Sequence, residues 1–301
     1  FPLLDSLPYR KVLAPCCFSG LGKPDFAFYF EELPTILRRY DRLIFHSDTY
    51  QDIAFARRHG LDNTAVIPNG AAAEEFDRVS IDFRRRYGIP RDLPLLLTVG
   101  NHNHRDMKWH AATIAAFRKA RIGPAVLVII GGGAHGKSCF GACRRRASLA
   151  RWLSFGERRV ILLDPPREEV VAAYQAADLF VFASKVECSP VVLFEALAAG
   201  LPFVTVPAGN AEEIVQWSGG GIIVPSPTDR YGFVRADTSK LARAIETIMA
   251  DKPRCRALAA AGRQAWRDRF RWDVIAERYE SLYRSVLELK HTTGGYGLAV
   301  S

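Results

Sequence analysis

Short apolar segments alternate with helical stretches along most of this chain, and the alternation is regular from residue 91 onward. Uninterrupted apolar segments are typical of strands whose two faces are both buried. We expect strands at residues 93–100, 125–131, 159–163, 178–184, 201–206 and 221–225, and helices that begin near residues 108, 137, 168, 190, 211, 238, 254 and 272. Buried strands separated by helices predict an α/β fold with a doubly wound parallel sheet that is covered by helices on both faces.

The beginning of the chain carries fewer such segments. We expect two strands and two helices there, followed by a turn that contains Pro68, Asn69 and Gly70. The strands are expected at residues 10–18 and 41–47, and the helices at residues 26–39 and 49–59. Because two or three strands do not complete a second doubly wound sheet, the sequence predicts a partial N-terminal region in front of one complete domain.

A short apolar helix with a single carboxylate is predicted at residues 190–199. Ser189 lies where an N-cap belongs, Pro190 suits the first helical position, and Gly200 marks the C-terminal end. Apart from Glu195, the residues that follow Pro190 in this helix are all apolar, so we expect the helix to be buried on every side. A carboxylate in such a helix needs a hydrogen-bonding partner.

A second carboxylate, Glu187, precedes this helix. The two carboxylates flank a helix N-terminus, where free N–H groups and the helix dipole attract phosphate. Two acceptors for hydroxyl groups around an anion site suit a nucleotide-sugar. In the alternative interpretation, Glu195 pairs with an arginine and Glu187 faces solvent.

The pattern E-x7-E followed by A-L-A-A-G-L-P, at residues 187–202, resembles the donor-binding signature of retaining GT-B glycosyltransferases of family 4. The resemblance implies that Glu187 contacts the transferred sugar and that Glu195 holds ribose hydroxyls. It also implies that the donor diphosphate lies against the start of the helix, at Ser189, Pro190, Val191 and Val192.

In this family the loop after the first strand of the donor domain carries an Arg and a Lys that neutralise the diphosphate. Here that loop follows Gly100 and offers Arg105 and Lys108. The resemblance therefore implies that Gly100 belongs to the donor site and that Arg105, Lys108 and Glu187 act in catalysis. Trp109 stands where the family usually has Gly after the Lys. Without a ligand, Lys108 would be an exposed lysine in the first helical turn, which is an unfavourable place for a cation.

The resemblance also divides the chain. It implies a partial acceptor-side region with its linker at residues 1–78, a nucleotide-sugar-binding domain at 79–272, and a closing helix at 273–290 that packs back on the N-terminal region. Residues 291–301 are rich in Thr and Gly, so we expect a disordered tail there. Recognition of the base is expected near residues 159–167. A loop at 207–213 resembles the family's glycine-rich loop with its glutamate, and an N-cap at Asn210 is the other explanation for it.

The acceptor side departs from the family pattern. Family members usually place a catalytically important His after a strand of the N-terminal domain, and the matching segment here, residues 15–18, reads Pro-Cys-Cys-Phe. Cys16 and Cys17 have no adjacent His or Lys that would activate a thiol, and cysteine is more often a buried apolar residue. Either the acceptor domain is incomplete or this chain departs from the usual pattern.

Charge limits the partners that are expected. The formal net charge of +9 suits phosphate-bearing ligands and is compatible with peripheral contact with an anionic membrane face. The basic runs are short and have no interleaved aromatic residues, so nucleic acid is not expected as a partner. No apolar run approaches the roughly 20 residues of a membrane span.

The six cysteines and seven histidines show neither C-x-x-C nor H-E-x-x-H spacing, so neither a structural metal nor a disulfide framework is expected. His102 and His104 could chelate a metal, although a polar loop explains them as well. Free thiols indicate a reducing cytoplasm, with the inner face of the membrane as the place of any peripheral contact.

We therefore expect a retaining, metal-independent transferase without a cofactor. It would move a sugar from a nucleoside-diphosphate sugar to a glycan or lipid-linked acceptor, in polysaccharide, lipopolysaccharide or glycolipid synthesis. A nucleotide-sugar-binding protein without transferase activity is one alternative. A nicotinamide-dependent oxidoreductase is disfavoured, because Gly131-Gly132-Gly133 lacks the G-x-G-x-x-G form and follows the second strand of the domain, where a flexible turn is expected.

Overall fold

The computed structural model describes residues 9–78, 81–103, 106–133 and 138–288, and within these ranges the chain forms two parallel sheets, of three and six strands. The tail expected at 291–301 lies outside the described residues, as do His104 and Arg105. No helix of the described part is both long and apolar enough to cross a bilayer.

The smaller sheet has the order β1-β2-β3 and is formed by Val12–Leu13 (β1), Arg42–Phe45 (β2) and Thr64–Val66 (β3). Helices α1 (Ala27–Leu37) and α2 (Gln51–Arg58) follow β1 and β2 and enclose an apolar cluster between helices and sheet. The first strand is shorter than predicted, because Pro15 cannot donate to a sheet and the chain turns at Cys17, whose φ is 62°. Strand β3 was not predicted.

Asp41 joins the first two strands of this sheet. Its carboxylate accepts hydrogen bonds from the Lys11 N–H, at 2.7 Å, and from the Arg10 guanidinium, at 2.9 Å. Burial alone would raise the pKa of Asp41, but these hydrogen bonds bring it below its ordinary value.

Two short helices, α3 (Ala73–Phe76) and α4 (Phe83–Arg86), lead into the larger sheet. Its strands occur where the sequence predicts them and are Leu95–Val99 (β4), Ala125–Ile130 (β5), Arg158–Leu163 (β6), Leu179–Phe182 (β7), Phe203–Thr205 (β8) and Gly221–Ile223 (β9). The strand order is β6-β5-β4-β7-β8-β9 with parallel neighbours throughout, which confirms the predicted doubly wound α/β fold.

The helices of this part are α5 (His110–Lys119), α6 (Phe140–Leu153), α7 (Arg167–Ala176), α8 (Val191–Ala199), α9 (Ala211–Ser218), α10 (Thr238–Ala250), α11 (Lys252–Ala265) and α12 (Trp272–Glu288), with a π-helical turn at Trp266–Phe270. Two apolar clusters lie on opposite faces of the sheet. One contains side chains of α7 and α8, and the other contains side chains of α5 and α10.

Helix α12 packs on the smaller sheet. Its Ile275 is fully buried against Ile44 and Ile67, and the Arg278 guanidinium donates a hydrogen bond to the Val66 carbonyl at 2.9 Å. The last described helix therefore ties the end of the larger unit to the smaller sheet.

Candidate functional site

The strand order of the larger sheet reverses between β4 and β7. In open parallel sheets, ligands bind beyond the carboxyl ends of the strands at such a reversal. The loop after β4 leads to Lys108, and the loop after β7 leads to Glu187. The two loops are joined by hydrogen bonds to the Met107 carbonyl, which accepts from the Lys185 N–H at 2.8 Å and from the Ser184 hydroxyl at 3.2 Å.

Lys108 and Glu187 form an ion pair at this reversal. Lys108 Nζ lies 2.5 Å from Glu187 Oε1, and their side chains are 30% and 12% exposed. Glu187 therefore does not face solvent, and Lys108 lies before helix α5 and not in its first turn. The ion pair gives each residue a partner without a ligand, and their roles at a donor stay predictions. An ammonium group carries three protons, so Lys108 can hold Glu187 and still donate to a second acceptor.

The turn around Lys108 uses two residues in the left-handed region. Asp106 has a φ of 46° and Trp109 a φ of 50°. The Asp106 carboxylate accepts from the N–H groups of His110 at 2.9 Å and Ala111 at 3.1 Å, and thereby caps α5. Trp109 thus occupies a backbone conformation that favours glycine, which is the residue that the family resemblance places there.

Two glycines hold the loops after β4 and β5 close together. A Cβ atom on Gly131 would lie 2.0 Å from the Gly100 carbonyl oxygen, and a Cβ atom on Gly100 would lie 2.9 Å from Lys108 Cγ. The His102 N–H also donates to the Gly132 carbonyl at 2.8 Å. The segment at residues 131–133, where a flexible turn was expected, thus packs closely against the loop that leads to Lys108.

The start of helix α8 differs by one residue from the prediction. The helix begins at Val191, and Pro190 is its N-cap, with no hydrogen bond from a capping side chain. Ser189 is therefore not the cap. Ser189 is only 9% exposed, and its buried hydroxyl has no hydrogen-bond partner among the described residues. The site thus contains an unpartnered hydroxyl beside a helix N-terminus, where N–H groups lack intrahelical acceptors.

Glu195 is paired with an arginine. Its Oε1 lies 2.7 Å from an Arg167 guanidinium nitrogen, and the Glu195 and Arg167 side chains are 9% and 44% exposed. Arg167 also makes two contacts with the Glu75 carboxylate, at 2.6 and 3.1 Å. This is the arrangement of the alternative interpretation for Glu195, and its ribose role stays a prediction.

Tyr174 lies next to this ion pair. Burial and then the neighbouring Glu195 carboxylate raise the pKa of the Tyr174 hydroxyl well above its ordinary value. The hydroxyl also lies 3.4 Å from the Val192 carbonyl oxygen. Tyr174 therefore stays a neutral donor on the buried side of Glu195.

Asp52 connects the smaller sheet to the site, and the sequence analysis did not single it out. Its carboxylate accepts from the N–H groups of Cys17 at 2.7 Å and Phe18 at 3.0 Å, and from the Cys188 thiol at 3.2 Å. Burial raises the pKa of Asp52 despite these bonds. No motif marks this residue. The segment expected to carry the missing His is nevertheless held beside the Glu187 loop.

The loop at residues 207–213 joins the two sheets. Gly209 has a φ of 62°, and a Cβ atom there would lie 2.5 Å from the Cys188 carbonyl oxygen. The Asn210 side chain donates to the His46 carbonyl at 2.9 Å instead of capping α9. Glu213 accepts hydrogen bonds from the Ser47 hydroxyl and, at 2.9 Å, from the Asp48 N–H.

Comparisons with known proteins show which family the chain resembles. Residues 93–251 match the model of the glycosyl transferases group 1 family. The D-inositol 3-phosphate glycosyltransferase of Thermobispora bispora is 30% identical over 70% of this chain and 47% of that protein. A GDP-mannose-dependent alpha-(1-6)-phosphatidylinositol monomannoside mannosyltransferase of Mycobacterium tuberculosis is 25% identical over 75% of this chain and 54% of that protein. The chain thus spans about half the length of the curated relatives it matches.

The fold is also found among solved structures. Sucrose-phosphate synthase from Thermosynechococcus elongatus superposes with a TM-score of 0.76 at 25% identity, over 95% of this chain and 70% of that one. The neighbours of this kind are GT-B glycosyltransferases, so the predicted GT-B class is confirmed. Because the family match extends over more than half of the sequence, the chain belongs to the glycosyl transferases group 1 family.

Proposed function

We propose that this chain provides the donor-binding part of a family 4 glycosyltransferase, which transfers a sugar from a nucleoside-diphosphate sugar with retention at the anomeric carbon. The observation that carries the proposal is the Lys108–Glu187 ion pair in front of the helix N-terminus, next to the buried and unpartnered Ser189 hydroxyl. A cation, a hydroxyl and a helix N-terminus at one place suit a diphosphate.

The diphosphate would be the leaving group, and its charge has to be stabilised as the sugar departs. Lys108 keeps two ammonium protons for phosphate oxygens while one contacts Glu187. The N–H groups at Val191 and Val192 and the Ser189 hydroxyl would add neutral donors, and Arg105 would add a second cation. Two cations and a helix dipole support transfer without a catalytic metal.

The two carboxylates would read the hydroxyl groups of the donor. Glu187 contacts the Lys108 ammonium group, which would also bind the diphosphate. This position beside the diphosphate suits contact with the transferred sugar. Glu195 could turn from Arg167 towards ribose hydroxyls without leaving a buried cation unpaired, because Arg167 is half exposed and keeps its two contacts with Glu75.

The acceptor is proposed to be an anionic polyol or a lipid-linked glycan. The names of the two curated relatives specify an inositol phosphate and a phosphatidylinositol mannoside, and both acceptors carry phosphate. The net charge of +9 suits such acceptors, at a cytoplasmic membrane face.

Calorimetry with UDP, GDP and ADP, followed by transfer assays with the corresponding sugar donors, tests the proposal. We expect one nucleoside diphosphate to bind, transfer to proceed without added Mg²⁺ or Mn²⁺, and NMR of the first product to show the anomeric configuration of the donor. An inverted product or a strict need for added metal would contradict the mechanism, and failure of all three nucleotides to bind would remove the donor site.

A nucleotide-sugar-binding protein without transferase activity remains the second candidate, because residues 15–18 hold no His. Donor binding without transfer to any member of an acceptor panel of inositol phosphates, phosphatidylinositol and oligosaccharides would favour it.

A further inference from the structure

Four side chains with metal-ligating atoms meet beside the loop that carries Lys108. They are His102, His110, Cys139 and Cys143, and their ligand atoms all lie within 4.8 Å of one another. His102 Nδ1 is 3.1 Å from His110 Nδ1 and 3.2 Å from Cys139 Sγ. All four residues are buried, with exposed fractions of 8% or less.

We infer that these four residues form a structural zinc site of the His2Cys2 type. Zinc is bound tetrahedrally by imidazole nitrogens at about 2.0–2.1 Å and thiolate sulfurs at about 2.3 Å. Neighbouring ligand atoms in such a tetrahedron are therefore roughly 3.3–3.8 Å apart. The two contacts of His102, at 3.1 and 3.2 Å, are slightly shorter than these separations, so a small rearrangement of the side chains would admit the ion.

The contacts inside the cluster are poorly explained by hydrogen bonds alone. His102 Nδ1 has one proton or one lone pair, yet it lies within reach of two polar atoms at once. A cation shared by the two Nδ1 atoms and the sulfurs gives the converging contacts a common partner.

The chemistry of the four ligands favours zinc. Cys139 and Cys143 are separated by three residues at the start of α6, which lies within the two-to-four-residue spacing of cysteine pairs in zinc sites. Two thiolates and two neutral imidazoles form an N2S2 set, which selects zinc over the oxygen-preferring Mg²⁺ and Ca²⁺. Binding releases one proton from each thiol, so the ion and its two thiolates carry no net charge in this buried place.

The position of the cluster gives the ion a role. His102 follows β4 and His110 opens α5, so the two imidazoles bracket the segment that contains Lys108, while both cysteines belong to the next loop-and-helix unit after β5. The ion would fix the ends of the Lys108 loop against α6. This inference rests on the cluster alone and stands whether or not the proposed function does.

Metal analysis of the intact chain tests the inference. The protein is purified without a histidine tag or added metal, and zinc is measured by inductively coupled plasma mass spectrometry. We expect about one zinc per chain, retained after gel filtration. After replacement by Co²⁺, we expect the visible bands and the thiolate-to-cobalt charge-transfer absorption of a tetrahedral N2S2 site.

Two cysteine variants assign the ligands. Cys143→Ser is expected to lose the stoichiometric zinc, whereas Cys255→Ser, at a partly buried cysteine outside the cluster, is expected to keep it. If Cys143→Ser does not fold, the zinc content and the cobalt spectrum of the unaltered chain still decide. A zinc-free native protein, a cobalt complex without thiolate absorption, a Cys139–Cys143 disulfide, or equal zinc in both variants would each overturn the assignment.

Discussion

Glu195→Leu distinguishes a ligand-binding carboxylate from a structural one. Leucine removes the acceptor from Arg167 and from the neighbouring Tyr174 hydroxyl. Arg167 keeps its two contacts with Glu75, and Tyr174 keeps the Val192 carbonyl at 3.4 Å. Neither partner is therefore left as an isolated buried polar group.

The expected change in the free energy of unfolding is small. An ion pair with one partner 44% exposed contributes about 0.5–1 kcal/mol, and the weakened Tyr174 hydrogen bond costs about 1 kcal/mol. Removing a desolvated carboxylate from a residue that is 7% exposed, and burying leucine there, returns about 1–2 kcal/mol. We expect the ligand-free variant to unfold within about 1 kcal/mol of the unaltered protein.

Thermal melts with and without the nucleoside diphosphate that binds best measure both effects. At a ligand concentration 100 times Kd, the unaltered protein gains about 2.7 kcal/mol, which raises Tm by roughly 5–10 °C. Glu195→Leu should lose this shift, and Glu195→Gln should keep only part of it, because it keeps the shape and loses the charge. The control Glu169→Leu removes a similarly buried carboxylate from an ion pair with the exposed Arg86 and should keep the full shift.

Two results would refute this reasoning. Loss of more than about 3 kcal/mol in ligand-free Glu195→Leu would show that the Arg167 pair is mainly structural. An unchanged ligand shift in the same variant would remove Glu195 from the ribose site.

Three further predictions concern the same loops and the smaller sheet. Lys108→Ala should weaken nucleoside-diphosphate binding by about 1.5–3 kcal/mol in calorimetry. The control Lys240→Ala, at an exposed lysine of α10, should leave this affinity unchanged. Equal affinities of the two variants would exclude Lys108 from the donor site. Trp109→Gly should be about 1 kcal/mol more stable to urea than Trp109→Ala, because the φ of 50° reverses the usual order of the two residues. Asp41→Ala should lose about 1 kcal/mol at pH 7, and because the folded-state pKa of Asp41 is lowered, the loss should fade as the pH falls below about 4. Asp62→Ala, at an exposed position, should show no such pH-dependent loss in the same urea titrations, and a constant deficit in Asp41→Ala would contradict the assignment.

The sequence predicted the larger sheet well, because its inner strands β4, β5, β7 and β8 are buried on both faces and their apolar runs leave little ambiguity. The sequence did not predict strand β3, because its three partly exposed residues are too few to give a recognisable strand pattern. The strand expected at residues 10–18 is only two residues long, because Pro15 cannot donate to a sheet and the Asp52 carboxylate binds the N–H groups of Cys17 and Phe18.

The sequence predicted which residues belong to the candidate site, but not which of them contact one another. Lys108 and Glu187 are separated by 79 positions, and only the neighbouring positions of β4 and β7 bring them together. The sequence analysis also missed the His2Cys2 cluster, because it considered only C-x-x-C and H-E-x-x-H spacing. The cysteines of the cluster have C-x3-C spacing, and its histidines come from another loop that meets them only when β4 and β5 pair. Asp52 gave no signal at all, since a single carboxylate in an ordinary helix has no pattern.

Gly131, Gly100 and Lys108 pack so closely that this part of the site requires residues without a side chain at positions 131 and 100. A methyl group on Gly131 would push the Gly100 carbonyl, and Gly100 itself leaves no room for a side chain beside the carbons that carry the ammonium group of Lys108. Substitutions at Gly131 would therefore be recorded in screens as losses of ligand affinity, although this residue presents no side chain to any ligand. When such sequences are redesigned or compared, the two glycines belong with the binding residues, because they set how far Lys108 can reach.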